Sequence, residues 1–252
     1  MLNGVKKLKE KAGRMAIIQN GSSLFTGDAG SGASEIRKYL IESDLVEAIV
    51  QLPTDLFYNT GISTYIWLIT KNKSMERTGK IQLIDASKCF VKRRKNIGNK
   101  RVDLDSRCIE MIVKAYAEFE NKEYIDNDIQ LESKVFDNED FGYTKVFVNT
   151  PLTDENNKPI LKKGKVQPDK SKADSEIIPL KDNIEEYMKK NVLPFNPLAY
   201  IDEGKSKVGY EIPFTRLFYK FVAPVSSMEI FDEIKELEAE ETSLMRELFG
   251  NE

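Results

Sequence analysis

Leu45-Val-Glu-Ala-Ile-Val-Gln-Leu52 and Ser63-Thr-Tyr-Ile-Trp-Leu-Ile-Thr70 are two apolar runs rich in Val, Ile, Trp and Tyr, joined by Pro53 to Gly61. Each has strand length and is almost continuously apolar, as strands buried on both faces are. Moving outward toward the N-terminus, Ala33 to Ser43 sets Ile36, Tyr39 and Leu40 at helical spacing on one face, and Asn20 to Gly32 is rich in turn residues. Arg14 to Gln19 is another apolar run of strand length, and Val5 to Lys11 reads as the last turns of a helix closed by Gly13. Strand, helix, strand, strand predicts an α/β sheet with a helix packed on it.

Toward the C-terminus, Lys80 to Asp85 reads as one more short strand. Ser106 to Phe119 reads as a helix with Ile109, Ile112, Val113, Tyr116 and Phe119 in one stripe, capped by Asp103 or Asp105. Asp154 to Glu176 is mostly Lys, Asp, Asn and Gly without an aromatic residue, which predicts a solvated excursion or mobile loop, with order resuming near Ile177. Ser226 with Glu229 is a capping-box signature, and Ile230, Ile234, Leu237, Leu244 and Leu248 follow it at heptad-like spacing, interrupted by Glu241. That seam is read as an interaction element, with docking on the chain's own core as the alternative.

The composition narrows the chemistry. With 252 residues the chain is long enough for one large domain or a domain with appendages, and 38 Lys+Arg against 41 Asp+Glu leave a net charge of −3. It is not a strongly cationic coat protein for nucleic acid. Zero histidines exclude Ser-His and Cys-His pairs, H-E-x-x-H metal sites and an imidazole base. The two cysteines, Cys89 and Cys108, form no C-x-x-C pair and fit a reducing, cytoplasmic compartment. The most apolar stretch, around Ile62 to Thr70, is far short of the roughly 20 residues of a membrane span.

Four features are candidates for chemistry. Gly27-Asp-Ala-Gly-Ser-Gly32 is a glycine-rich loop before a helix, but about thirteen residues separate Gln19 from Ala33, too many for the tight turn of a dinucleotide fingerprint. Asn196-Pro197 resembles the start of an amino-methyltransferase motif without its second proline and aromatic, which favours an ordinary Asn-Pro turn. Lys92, Arg93, Arg94, Lys95, Lys100 and Arg101 put six cations into ten residues, a candidate set of DNA phosphate contacts or else a solvated face, with no aromatic residue interleaved. Phe57-Tyr-Asn-Thr-Gly61 presents two adjacent aromatics at the sheet edge, either to receive a planar ligand or to pack the loop.

Longer stretches resemble a known family. Arg14-Met-Ala-Ile-Ile-Gln-Asn-Gly-Ser-Ser-Leu-Phe25 and Leu52-Pro-Thr-Asp-Leu-Phe-Tyr-Asn-Thr-Gly-Ile-Ser-Thr-Tyr-Ile-Trp67 resemble the modification (M) subunit of type I restriction-modification systems. The likeness continues through Gln82 to Ser87, Asp137 to Tyr143, Val208 to Arg216 and the closing helix. The resemblance implies an adenine-N6 DNA methyltransferase that uses S-adenosylmethionine on a doubly wound, Rossmann-like sheet. It also implies assembly with a specificity subunit that reads DNA and, for cleavage, with a restriction subunit.

In that family the glycine-rich cofactor loop and the catalytic Asn-Pro-Pro-aromatic motif lie N-terminal to the segment that Arg14 to Phe25 matches. The resemblance therefore implies that this chain holds no catalytic or cofactor-binding residues, needs a missing N-terminal half of the subunit, and is inactive and of low stability alone. Residues 1–70 are expected to be the second half of the catalytic sheet with its terminal antiparallel hairpin. Residues 71–225 are expected to be an α+β extension, and 226–252 the amphipathic assembly helix that meets the specificity subunit through Ile230, Ile234, Leu237, Leu244 and Leu248. By position in the family, Asn20, Phe57, Tyr58, Asn59 and Thr60 line the target-adenine pocket. The open alternatives are a non-catalytic module that binds the specificity subunit and an inactive gene remnant.

Overall fold

The structure is a computed structural model that describes every residue except Asn157, Lys163, Asn251 and Glu252. It divides into two compact units, Met1–Phe218 and Tyr219–Glu252. In the first, α1 (Leu2–Lys7) precedes β1 (Arg14–Asn20), α2 (Ser22–Phe25), α3 (Gly32–Glu42), β2 (Val46–Gln51), β3 (Thr64–Thr70) and β4 (Lys80–Asp85). The expected helix up to Lys11 is corrected: α1 ends at Lys7 and Leu8 is already extended. Gly13 closes a separate turn, donating its N–H to the Lys9 carbonyl.

Next come the hairpin β5 (Val91–Ile97) and β6 (Lys100–Asp103), α4 (Ser106–Glu118), and the strands β7 (Lys122–Asp126), β8 (Ile129–Asp137) and β9 (Gly142–Asn149). The polar stretch that follows carries a small hairpin, β10 (Leu161–Lys162) and β11 (Lys165–Val166), while Asn157 and Lys163 of that stretch lie outside the described residues. β12 (Asp174–Pro179) begins three residues before the expected return of order. α5 (Ile184–Tyr187), a π-helical turn, β13 (Tyr200–Tyr210) and α6 (Phe214–Leu217) complete the unit.

Six strands form one sheet in the order β1-β3-β2-β4-β8-β7. β3 is antiparallel to both β1 and β2, and β4 is parallel to β2, so β1, β2 and β4 point the same way. The near-continuous apolarity of β2 and β3 has the predicted cause, since both faces are covered. Leu40, Ile41, Ile49, Trp67, Ile69 and Leu83 pack on the α3 side. Val50, Leu52, Ile84, Cys108, Ala115 and Leu131 pack on the α4 side. Each fully buried Leu or Ile contributes about 1.5–3 kcal/mol relative to exposure. β9 centres a second sheet, β12-β9-β13. The fold is mixed α/β, as expected.

Two helix faces differ from the sequence expectation. On α3 the buried residues are Ser34, Arg37, Leu40 and Ile41, whereas Tyr39 is exposed. On α4 the inward face centres on Cys108 and Ala115, with Ile109 and Val113 outside. Hydrophobicity alone ranked the large residues as inward, but the small Ala115 and Cys108 are what allow close approach to the sheet. Asp105, not Asp103, caps α4, its carboxylate accepting the Cys108 N–H at 2.9 Å.

β1 is one of the two outer strands of its sheet, and no strand among the described residues pairs with its far edge. On the face that α4 covers further along, Ala16 is exposed, Ile18 is 49% exposed and Leu68 is only half-buried. Among the described residues no helix is long and apolar enough to cross a membrane.

The second unit is dominated by α7 (Ser227–Phe249). Its capping box forms as read: Glu229 N–H donates to Ser226 Oγ at 3.1 Å, and the Glu229 carboxylate accepts the Ser226 N–H. Ile230, Ile234, Leu237, Leu244 and Leu248 are all exposed, with no cover from the described residues of this unit.

Candidate nucleic-acid interface

The parallel strands β1, β2 and β4 end at Asn20, Gln51 and Asp85, which defines one rim of the sheet. In open sheets of this kind ligands meet the carboxyl ends of the parallel strands. The loop between β2 and β3 rises from that rim: Leu52 N–H donates to the Thr64 carbonyl at 2.8 Å, Asp55 takes a left-handed φ of 57°, and Phe57 bridges Thr60. Phe57 is half-buried against the α4-side core, so it anchors the loop. Tyr58 is 62% exposed and Asn59 is exposed beside it. One aromatic therefore packs and the other is presented to solvent.

The loop leans on the basic hairpin. Asn99 N–H donates to the Tyr58 carbonyl at 3.0 Å, and Arg101 N–H donates to the Asp55 carbonyl at 2.8 Å. Gly98 permits this approach: its φ is 59°, and a Cβ there would lie 2.5 Å from the Tyr58 oxygen. Lys100 Nζ then sits 5.4 Å from the centre of the Tyr58 ring, within cation–π range. Two features read separately in the sequence, an aromatic loop and a cation run, thus form one surface. The aromatic residue that the run lacks in sequence comes from a segment about forty residues earlier.

The six cations are not equivalent. Asp103 takes Arg93 on one carboxylate oxygen and Lys100 on the other, the latter at 2.9 Å. These two partners hold its carboxyl below the usual range, Lys100 more than Arg93. Among the described residues Lys92, Arg94, Lys95 and Arg101 are exposed and make no ion pair or side-chain hydrogen bond. Sequence reading offered Asp103, just beyond the run, only as a helix cap and missed its pairing with Arg93 and Lys100. The Gly98-Asn99 pair marks the hairpin that brings it back onto Arg93.

Asn20 lies at the same rim, paired in register with Thr64 on the far side of β3 from Leu52. Its carbonyl accepts Ser23 Oγ at 2.8 Å, and Ser23 Oγ accepts the indole N–H of the buried Trp67 at 3.2 Å. Among the described residues no hydrogen bond joins Asn20 to the Phe57–Gly61 loop. The rim thus carries Asn20 and the aromatic loop along one sheet end, with no hydrogen bond between them among the described residues.

In the glycine-rich loop two of the three glycines are packed by the chain's own side chains, while the space beside Gly32 is open. Gly27 and Gly30 have left-handed φ values of 94° and 76°, but the space beside them is filled: a Cβ would lie 2.3 Å from Ser31 Oγ at Gly27 and 3.0 Å from Lys207 Cδ at Gly30. Asp28 turns a carboxylate into the loop, where Lys145 at 2.7 Å and the Ala29 N–H hold its pKa below the ordinary value. Asn196 is an ordinary turn residue, its carbonyl accepting the Ala199 N–H and its amide donating to Thr150 Oγ1 at 2.6 Å.

Comparison with known proteins identifies the family. The profile of the N-6 DNA methylase family matches residues 1–159. The methylase subunit of the Methanocaldococcus jannaschii type I restriction enzyme MjaVIII is 39% identical over 113 residues, which are 45% of this chain and 18% of that protein. The MjaVII methylase subunit of the same organism is 34% identical over 124 residues, 47% of this chain and 20% of that protein. The methyltransferase subunit of a Streptococcus thermophilus type I restriction-modification system is similar over 55% of this chain and 26% of its own, at 29% identity and a TM-score of 0.45. The chain spans about a fifth of the length of these methylase subunits. Because the family profile matches residues 1–159, more than half of this chain's length, the chain belongs to the N-6 DNA methylase family.

Proposed function

We propose that this chain is the C-terminal part of a type I modification subunit and supplies a DNA-facing wall for adenine-N6 methylation. The observation that carries this reading is the fusion of the Tyr58 loop with the basic hairpin at the carboxyl end of the parallel strands. Lys92, Arg94, Lys95 and Arg101 contact backbone phosphates, and Lys100 and Arg93 lie on the same surface. Tyr58 and Asn59, with Asn20 and Thr60 nearby, line the approach of an extruded adenine, and Phe57 holds the loop in place.

The methyl donor of this reaction is S-adenosylmethionine. Gly27 and Gly30 are packed by this chain's own side chains, and the donor site and the catalytic Asn-Pro-Pro-aromatic motif belong to the N-terminal half of the modification subunit. The unpaired edge of β1 and the uncovered Ala16, Ile18 and Leu68 support this, since a parallel strand and its helix would satisfy both at once. α7 meets the specificity subunit through Ile230, Ile234, Leu237, Leu244 and Leu248, which need a partner's burial. A restriction subunit joins the same complex for cleavage, and the assembly works in the cytoplasm. The uncovered α7 seam also favours a second reading, a non-catalytic module that occupies the specificity subunit.

The test is phosphate contact. In the assembled modification enzyme, the Lys92→Ala, Arg94→Ala, Lys95→Ala variant is expected to bind all DNA sequences more weakly, with the salt dependence of log K reduced by about three. Unchanged affinity and slope would leave the hairpin a solvated face and remove the basis of this reading.

A further inference from the structure

The ion-pair geometry of the hairpin carries one step more. Arg93 on β5 and Lys100 on β6 reach from two strands to opposite oxygens of a single carboxylate, Asp103. Two cations placed on a pair of oxygens match the demand of a phosphodiester as well as that of a carboxylate. The cluster is not sealed in the protein: the Asp103 side chain is 36% exposed, and the Arg93 and Lys100 side chains are 24% and 16% exposed. It adjoins Lys92, Arg94, Lys95 and Arg101, which have no carboxylate partner among the described residues. The Tyr58 ring lies under Lys100 on the loop side. The carboxylate thus occupies the place on the cationic surface where two donors converge.

We infer that Asp103 is a built-in competitor for a DNA phosphate: it holds Arg93 and Lys100 in the free protein and yields them to a phosphodiester of duplex DNA on binding. This rests on the reading of the hairpin as a DNA surface and deepens it. Asp103 lowers affinity for DNA in general, leaving discrimination to contacts elsewhere in the enzyme, because a phosphate contact carries no sequence information. A carboxylate that only braces the hairpin predicts the reverse sign, since its loss would let both cations wander. Replacement of Asp103 leaves the start of α4 intact, because Asp105 is its cap.

The experiment is fluorescence anisotropy of a labelled DNA duplex with the full chain over a series of potassium chloride concentrations. It compares the unaltered protein, Asp103→Asn, Asp103→Ser and the Lys92→Ala, Arg94→Ala, Lys95→Ala variant. Both Asp103 variants are expected to bind about three- to tenfold more tightly at low salt, with a slope of log K against log salt steeper by about one to two. Unchanged or weaker binding by both, while the triple variant still loses affinity, overturns the competitor role and leaves the DNA surface standing. If the triple variant binds like the unaltered protein, or no variant binds at the lowest salt, the surface itself fails and the inference falls with it.

Discussion

Arg37 shows how a residue can hold the rim together without appearing in any motif. It is 2% exposed on the inner face of α3 and has no carboxylate hydrogen-bonded to it among the described residues. Instead it donates to the carbonyls of Tyr210 at 2.6 Å, Thr26 at 2.9 Å and Ser23 at 3.3 Å, tying the end of β13 to α2, which follows Asn20. Burial lowers its pKa from the ordinary arginine value, and its Nη2 is buried without a partner. Arg37→Ala should lose about 2–4 kcal/mol, because it strands buried carbonyls, and the loss is read from the midpoint of urea unfolding. A change below about 0.5 kcal/mol would mean water already serves those carbonyls. In the sequence Tyr39 reads as inward and Arg37 is not singled out. The structure exposes Tyr39 and buries Arg37, since hydropathy does not register three carbonyls arranged around one guanidinium.

At the scale of elements, legibility followed burial. β2, β3 and β4 stood out because they are covered on both faces and so run apolar without interruption. β5 was invisible as a strand because its residues are mostly cations, and β8, β9 and β13 because half-exposed residues break up their apolar runs. The candidate site shows the same division. The loop and the cation run were legible as pieces, but their union depends on backbone hydrogen bonds and on Gly98, which single-segment patterns do not contain.

Contacts between elements also set a pH dependence. Asp137, at the end of β8, accepts from Lys181 at 2.8 Å and from Lys80 of β4 at 2.9 Å, and these partners pull its pKa down to about 2. A carboxylate depressed in the folded state stabilises the fold above its unfolded value of about 3.9, and that contribution disappears as pH falls toward 2. Half of its side chain is exposed, so solvent screening limits the contribution to at most about 1 kcal/mol. Asp137→Asn should lower stability at neutral pH slightly and flatten its decline between about pH 4 and pH 2. Parallel acid limbs in chemical denaturation would show that the pair is fully screened.

For the whole molecule, the open edge of β1 and the exposed seam of α7 are two of the surfaces left open among the described residues. One is a strand edge and suits a further strand of the same sheet; the other is a helical stripe and suits a helical partner. The family membership was legible because long segments such as Leu52 to Trp67 combine core strands with the rim loop. The reach of the chain's activity was not, because on the proposed reading it resides in contacts with other polypeptides. The most direct measurement co-expresses this chain with a polypeptide carrying the glycine-rich loop and the Asn-Pro-Pro-aromatic motif, together with the specificity subunit. It follows transfer of a tritiated methyl group from S-adenosylmethionine to adenine N6 in DNA. The account predicts transfer only when all three are present and co-purify; soluble, co-purifying components that transfer no methyl group, or transfer that proceeds undiminished without this chain, would contradict it.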